Sequence, residues 1–306
     1  MEDAMTAAYS GRDDKIDTLF YTPLKKRSGL TLEQFYLYWK DAHGPLCARL
    51  PGLWQYKQFH LFHDEGGIWP PPPGVESVTP DDEQLDGIAE LTFTSPDNRQ
   101  AWVDAGLPLM IDEQNCFNET IGYLVTDKRS KTYVDGITND VPNGFVGVAR
   151  YHVLLKRRWD ISLEDFRSFL TQTFAPNVAA SELVVKFRLH QLDEYTKPAP
   201  PAPNVFHEPS KERQLHAAFE IAFKTRLELG LFLKSAEYAK ATAGMGDFVR
   251  QMSVFAEHAA YSLVEDGSAT LMGQRSPSVA KTITDAGAVS NLNDDVVQLM
   301  FGAAPN

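Results

Sequence analysis

The sequence predicts an α+β fold: two ferredoxin-like βαββαβ repeats packed sheet to sheet as one intramolecular α+β barrel. Three observations carry this prediction. The chain repeats itself 131 positions on. Leu24-Lys25-Lys26-Arg27 returns as Leu155-Lys156-Arg157-Arg158, Thr31-Leu32-Glu33-Gln34-Phe35 as Ser162-Leu163-Glu164-Asp165-Phe166, Pro45 as Pro176, and Tyr56-Lys57 as Phe187-Arg188. A repeat this long is two copies of one folding unit. Within each copy the apolar patterns follow the order β-α-β-β-α-β. A four-stranded sheet with both helices on one face leaves its other face bare, and two such sheets in one chain bury those faces against each other.

The elements of the first copy follow from local pattern. Ile16 to Leu24 is an apolar run with Phe20 and Tyr21 and reads as a strand. Gly29 breaks it. Thr31, with Gln34 three residues on, makes a capping box, and Leu32, Phe35, Tyr36 and Trp39 continue at helical spacing. The helix is expected to stop near His43-Gly44-Pro45, because proline disfavours helix in the residue before it. Leu53 to Phe62 is aromatic-rich and alternating, a second strand. A loop with Gly66-Gly67 and Pro70 to Pro73 leads to a third strand, Gly87 to Thr94. Ser95-Pro96-Asp97 opens a second helix, and Thr120 to Thr126 is the fourth strand.

The second copy runs in the same order. Strands are expected over Phe145 to Leu155, Leu183 to Leu192, Leu215 to Phe223 and Ala259 to Val264, with helices over Ser162 to Leu170 and Leu227 to Tyr238. A second proline-rich loop, Pro198 to Pro203, falls at the same place as the first, as a surface spacer or a rim over a cavity. This organisation gives an N-terminal repeat over 1–140, a degenerate C-terminal repeat over 141–267 and a tail over 268–306. The tail is small and polar until Val296 to Phe301, a run that either docks or stays disordered.

Composition narrows the function classes. The 306 residues, 43% hydrophobic and 23% charged, are ordinary for a globular protein with ample core. A net charge of −12 argues against nucleic acid, whose phosphates need a basic face. Two cysteines, Cys47 and Cys116, make no disulfide framework and no CxxC pattern. The acidic N-terminus resembles no secretory signal, and no apolar run is long enough to span a membrane, so a cytoplasmic setting is expected.

The most informative residue is His43, because the repeat replaces it with Phe174 while keeping the neighbouring proline. A polar residue present in one copy is not required by the shared fold. Imidazole suits general acid/base work at neutral pH; the competing reading is a cationic cap on a helix C-terminus. Tyr56, Gln58 and His60 alternate on one strand face, where the second copy has Phe187, Leu189 and Gln191. That face is expected to line a polar cavity inside the barrel, with Lys57, Phe59 and Leu61 turned away. Tyr38 and Asp41 flank His43, and Tyr21 and Tyr123 are further phenolic donors for an aromatic ligand. His63-Asp64-Glu65, His207-Glu208 and Glu257-His258 are adjacent residues, not the i, i+4 spacing of helical metal sites. No nucleotide-binding or nucleophile motif occurs, and no flank marks a histidine as a haem ligand, so no metal or cofactor is expected.

The segment Leu32-Glu33-Gln34-Phe35-Tyr36-Leu37-Tyr38-Trp39-Lys40-Asp41-Ala42-His43-Gly44-Pro45-Leu46, with Leu50-Pro51-Gly52 and Tyr56-Lys57-Gln58-Phe59-His60, resembles the signature of the EthD family. The likeness covers about 15–130 well and 145–265 as a degenerate copy. It implies the dimeric α+β barrel fold, made here within one chain, so that either a monomer or a homodimer fits. It also implies the family's range of cofactor-independent decarboxylases, cyclases and small quinone-forming oxygenases. The function expected is a cofactor-independent lyase-type enzyme (decarboxylase, dehydratase or cyclase) acting on an aromatic or polyketide-like carbonyl compound. His43 is expected to move the proton, with His60 second. Tyr21, Tyr38, Tyr56, Gln58 and Tyr123 are expected to hold the substrate. The alternatives are a cofactor-free oxygenase of phenols and a non-catalytic ligand-binding or stress-response barrel.

Overall fold

The computed structural model describes residues 13–63, 69–77, 83–137, 141–197 and 201–301. Asp64, Glu65, Gly66, Gly67 and residues 198–200 of the proline-rich loops lie outside the described residues.

The first copy forms β1 (Thr18–Lys26), β2 (Gln55–Leu61), β3 (Gly87–Phe93), β4 (Phe117–Thr120) and β5 (Tyr123–Val125). After β6 (Ser130–Asp135) and the short β7 (Asn143–Gly144), the second forms β8 (Ala149–Arg157), β9 (Val184–Gln191), β10 (Ala217–Phe223) and β11 (Val249–Glu265). Each copy has the antiparallel ferredoxin-like strand order, with β3 between β1 and β2 and β10 between β8 and β9.

The closing strand of each copy runs on into the other copy. Val249 to Ala256 of β11 pairs with β8. Glu257 to Val264 of the same strand pairs with β2. Reciprocally, β6 (Ser130–Asp135), just after β5, pairs with β9. The expected final strand, Ala259 to Val264, is therefore the second half of a 17-residue strand, and it joins the N-terminal sheet. This exchange pairs the outer strands and leaves each sheet without an open edge there. The resulting barrel agrees with the fold predicted from the repeat.

The two faces of the sheet bury different things. Leu19, Tyr21, Phe59, Leu61 and Ile88 meet Leu154, Ala218, Phe255 and Ala260 inside the barrel. Lys57 also points inward, contrary to the expectation that its charge would keep it out. The interior is apolar only in part. Arg188 pairs with Glu90, Arg150 with Glu220 at 3.1 Å, His152 with Glu257 at 3.0 Å and Lys57 with Glu265 at 3.9 Å. Burial alone would raise the Glu90 carboxyl, but Arg188 and His190 outweigh it and hold it well below the carboxylate range. The other face of each sheet packs on its own helices, around Phe35, Trp39, Tyr56 and Leu91 in the first copy and around Phe166, Phe174, Phe187 and Phe219 in the second.

The helix bearing His43 does not stop at the proline. Helix Leu32–Tyr38 widens into a π-turn over Trp39–His43 and continues as Gly44–Ala48. Pro45 has no N–H and crowds the carbonyl four residues back. The turn accommodates it by bonding Gly44 N–H to the Trp39 carbonyl, five residues back. The second copy does the same, with Ala175 N–H on Leu170. The π-turn thus belongs to the fold, and only the residue it presents differs, His43 or Phe174.

Other elements depart from the local pattern. A further helix, Leu107–Cys116, follows the expected Pro96–Ala105. The span Leu227 to Tyr238 is two helices, Arg226–Phe232 and Ala236–Ala241, each with its own side-chain cap. The described part of the tail is helical and docked: Arg49 donates to the Gly273 and Gln274 carbonyls, and Asp41 accepts from Ser278 N–H at 2.9 Å.

One close contact gives a stability test. A Cβ on Gly87 would lie 2.4 Å from the Trp39 ring, whereas the second copy pairs Ala217 with the smaller Leu170 at the equivalent positions. Gly87→Ala is expected to destabilise by ~1–3 kcal/mol through overpacking, and Trp39→Leu in the same chain to relieve it. Additive melting-temperature losses in the double variant would contradict this pairing.

Candidate active site

A cavity of about 550 Å³ lies between the N-terminal sheet and its helices. Its floor is Phe20, Thr22 and Leu24 of β1, Tyr56 of β2, and Ala89 and Leu91 of β3. Alternate residues of a strand share a face, and these are the residues turned toward the helices. The helices supply Trp39, His43, Cys47, Trp102, Leu109 and Glu113. The rim comes from the other copy: Thr196, Lys197, Ala202 and His207 of its proline-rich loop reach over the opening. Phe206 of that loop pairs with β4 through Thr120 N–H to Phe206 O and Phe206 N–H to Asn118 O, both 3.0 Å.

His43 reaches this cavity and is only 5% exposed. Its Nδ1 lies 2.9 Å from Oδ2 of Asp112 on helix Leu107–Cys116. Asp112 also accepts from the Tyr38 hydroxyl at 2.6 Å and the Asn115 amide at 3.0 Å. Burial would raise its carboxyl, but the bonds from His43, Tyr38 and Asn115 outweigh this and bring it to about 2. An ionised carboxylate only accepts, so it selects the tautomer of the neutral imidazole in which Nδ1 carries the proton and Nε2 the lone pair. Phe117 lies edge-on to the imidazole at 5.1 Å and limits its rotation.

Glu113, the next residue on the helix, lines the cavity and has the opposite character. Burial pushes its carboxyl up to about 7; the nearby Asp112 charge adds to this, and a hydrogen bond from Thr120 at 3.2 Å opposes it. Neighbouring carboxyls driven apart in this way are a pattern of acid/base sites. Thr120 Oγ1 is also 3.0 Å from His207 Nδ1, so the rim loop is tied to the Glu113 cluster. Arg99 lines the cavity half-buried, with no ion-pair partner among the described residues.

The structure brings some of the expected residues together and separates others. His43 and Tyr56 line the cavity, and Tyr38 supports it through Asp112. Gln58 lies beneath, donating to the Tyr56 hydroxyl at 2.7 Å and the Trp39 carbonyl at 3.1 Å. His60 is screened from the cavity by Trp39, on which it stacks at 4.5 Å. Burial, with the His258 and Lys40 charges, holds it neutral well below the usual histidine range. Tyr21 points into the barrel interior, and Tyr123 accepts from Leu215 N–H at 3.1 Å in the same core. The polar face of β2 therefore meets the helices and not the barrel interior, because the inward positions go to Lys57, Phe59 and Leu61. Asp41 turns to the tail rather than to His43. Asp112, Glu113, Arg99 and His207 were not marked by the sequence pattern. Among the described residues no cluster of ligands suits a metal ion, and no helix is long and apolar enough to cross a membrane.

The family model for the EthD domain matches residues 27–115. The N-terminal copy carries an EthD domain. The match spans the His43 helix and ends just past Asp112 and Glu113, so all three residues lie within the matched span. Among solved structures, a candidate monooxygenase from Fusobacterium nucleatum subsp. nucleatum is similar with a TM-score of 0.50 at 4% identity, over 83% of this chain and 96% of that one. An anthrone oxidase-like protein gives 0.49 at 9% identity, over 84% and 98%. A candidate monooxygenase from Lactobacillus acidophilus gives 0.46 at 9% identity, over 83% and 98%. At 4% identity the likeness to the Fusobacterium protein is one of fold alone. No curated protein sequence matches the chain.

Proposed function

We propose that the chain is an acid/base enzyme acting on an aromatic or polyketide-like carbonyl compound in the EthD cavity, by a decarboxylase, dehydratase or cyclase step. The observation that carries the reading is His43, buried on the wall of a mostly apolar cavity and bonded through Nδ1 to the part-buried Asp112. In a dehydration, Nε2 of His43 takes a proton from the carbon beside the carbonyl. Protonated Glu113 gives its proton to the departing hydroxyl, water leaves and the C=C bond forms. In a decarboxylation, the Glu113 O–H would donate to the enolate oxygen that develops as CO2 departs, and protonated His43 would return a proton to carbon. Arg99 suits a carboxylate on the substrate, and the aromatic walls suit its rings.

The test is turnover of hydroxyaryl β-keto acids and β-hydroxy ketones, followed together with dissolved oxygen. Product without oxygen uptake supports the reading. Uptake matched to turnover would replace it with a cofactor-free oxygenase, and ligand binding without turnover of any compound would favour a binding protein.

Glu113 adds a pH signature. The rate is expected to fall as pH rises through about 7, where its acid form is lost. Glu113→Gln should remove that limb and lower the plateau ~10–10²-fold. Stability moves with the same sign: a carboxyl raised from 4.5 to about 7 stabilises the fold most below pH 4.5, and that contribution is gone above about 7. The Gln variant should therefore melt higher than wild type at pH 8 and not at pH 5. An unchanged pH profile would remove Glu113 from the mechanism.

A further inference from the structure

The C-terminal copy has the same space between sheet and helices, and an indole fills it. Trp69 belongs to the N-terminal copy, in the loop after β2, yet it is buried in the core of the C-terminal copy. Tyr151, Phe219, Phe223, Phe232 and Tyr238 surround its ring with centroids 6.1–6.5 Å away, all edge-on. Its Nε1–H donates to the Tyr238 hydroxyl at 2.8 Å.

Three of these walls stand at the places of residues that line the open cavity. Tyr151 stands where Phe20 does, 131 residues on. Gly87 pairs with Leu24, and Ala217 with the equivalent Leu155, so Phe219 stands at the place of Ala89. Phe232 follows its cap Thr225 as Trp102 follows Ser95. The loop carrying Trp69 is held on the C-terminal copy at two further points. Glu76 pairs with β11, with Glu76 N–H on Arg250 O at 2.9 Å and Met252 N–H on Glu76 O at 2.8 Å. Gly74 meets Gly246 so closely that a Cβ on Gly246 would lie 2.6 Å from the Pro73 carbonyl. Gly244-Met245-Gly246 thus forms the seat of this loop.

We propose that Trp69 is a tethered ligand: the C-terminal copy keeps an aromatic-binding site of the same plan, and the chain occupies it with its own indole. The site selects a flat bicyclic aromatic with one N–H donor aimed at Tyr238. It lies in the other copy from His43, so the inference stands or falls separately from the proposed reaction.

The test is Trp69→Ala of the full chain with free indole, read by thermal melting and calorimetry. The variant is expected to melt roughly 5–10 °C lower than wild type. Millimolar indole should restore several degrees to the variant, beyond whatever shift it gives wild type through the open N-terminal cavity that both share. 1-Methylindole, which lacks the donor, should bind about tenfold more weakly. Tyr238→Phe in the variant should erase that difference. If Trp69→Ala does not fold, Trp69→Val, which leaves a smaller void, is tested with the same ligands. Failure of indole to stabilise a folded variant more than wild type, or equal rescue by 1-methylindole, would overturn the proposal and leave Trp69 as ordinary core.

Discussion

Replacing His43 with Ala is expected to lower turnover ~10²-fold or more while the fold stays intact. The residue lines the cavity, and Asp112 keeps two other donors, Tyr38 and Asn115, when the imidazole is gone. The carboxylate therefore remains hydrogen-bonded, and the melting temperature should change little. Asp112→Asn separates position from chemistry. An amide can present its N–H2 to Nδ1, which moves the imidazole proton to Nε2 and points a donor at the substrate in place of a lone pair. A loss comparable to that of His43→Ala, ~10²-fold, is expected with KM unchanged. Wild-type turnover in purified His43→Ala would remove His43 from the chemistry, and with it the proposed acid/base step.

The repeat made His43 legible. Two copies of one fold act as their own control, and the pattern Trp39/His43 against Leu170/Phe174 separates what the fold needs from what one copy adds. The same contrast marked Tyr56 against Phe187 on the cavity floor. Asp112 and Glu113 escaped because their helix, Leu107–Cys116, begins at Leu107-Pro108, directly after Gly106, with no side-chain cap to announce it. The facing of β2 was misjudged because alternation gives two faces but not what covers each of them. Lys57 looked excluded from the interior; its partner Glu265 is 208 positions away and on the exchanged end of β11. The exchange itself left one sign in the sequence: Val249 to Val264 contains no Gly or Pro, a run too long for a strand that serves one small sheet. Trp69 left none, since nothing local says that a loop of one copy fills the other.

Ala89→Phe is expected to fill the open cavity and weaken binding without unfolding the protein. The substitution writes the wall of the C-terminal copy, where Phe219 packs on Phe174 at 5.2 Å and Phe187 at 5.7 Å, into the N-terminal one. The new ring enters empty space among Phe20, Leu91 and Trp102, so it gains apolar contact, and the melting temperature should hold or rise. A substrate ring excluded from that space forfeits ~1.5–3 kcal/mol of burial, which is about 10–10²-fold in KM. The two variants thus fail in different ways. His43→Ala should lower kcat with binding retained, because the cavity keeps its shape. Ala89→Phe should act chiefly on KM: its ring, set as Phe219 is beside Phe174, takes the space in front of His43, while Nδ1 stays bonded to Asp112. If Ala89→Phe left both constants at wild-type values, the substrate would bind elsewhere, and the location of the site would be wrong even where His43 had proved essential.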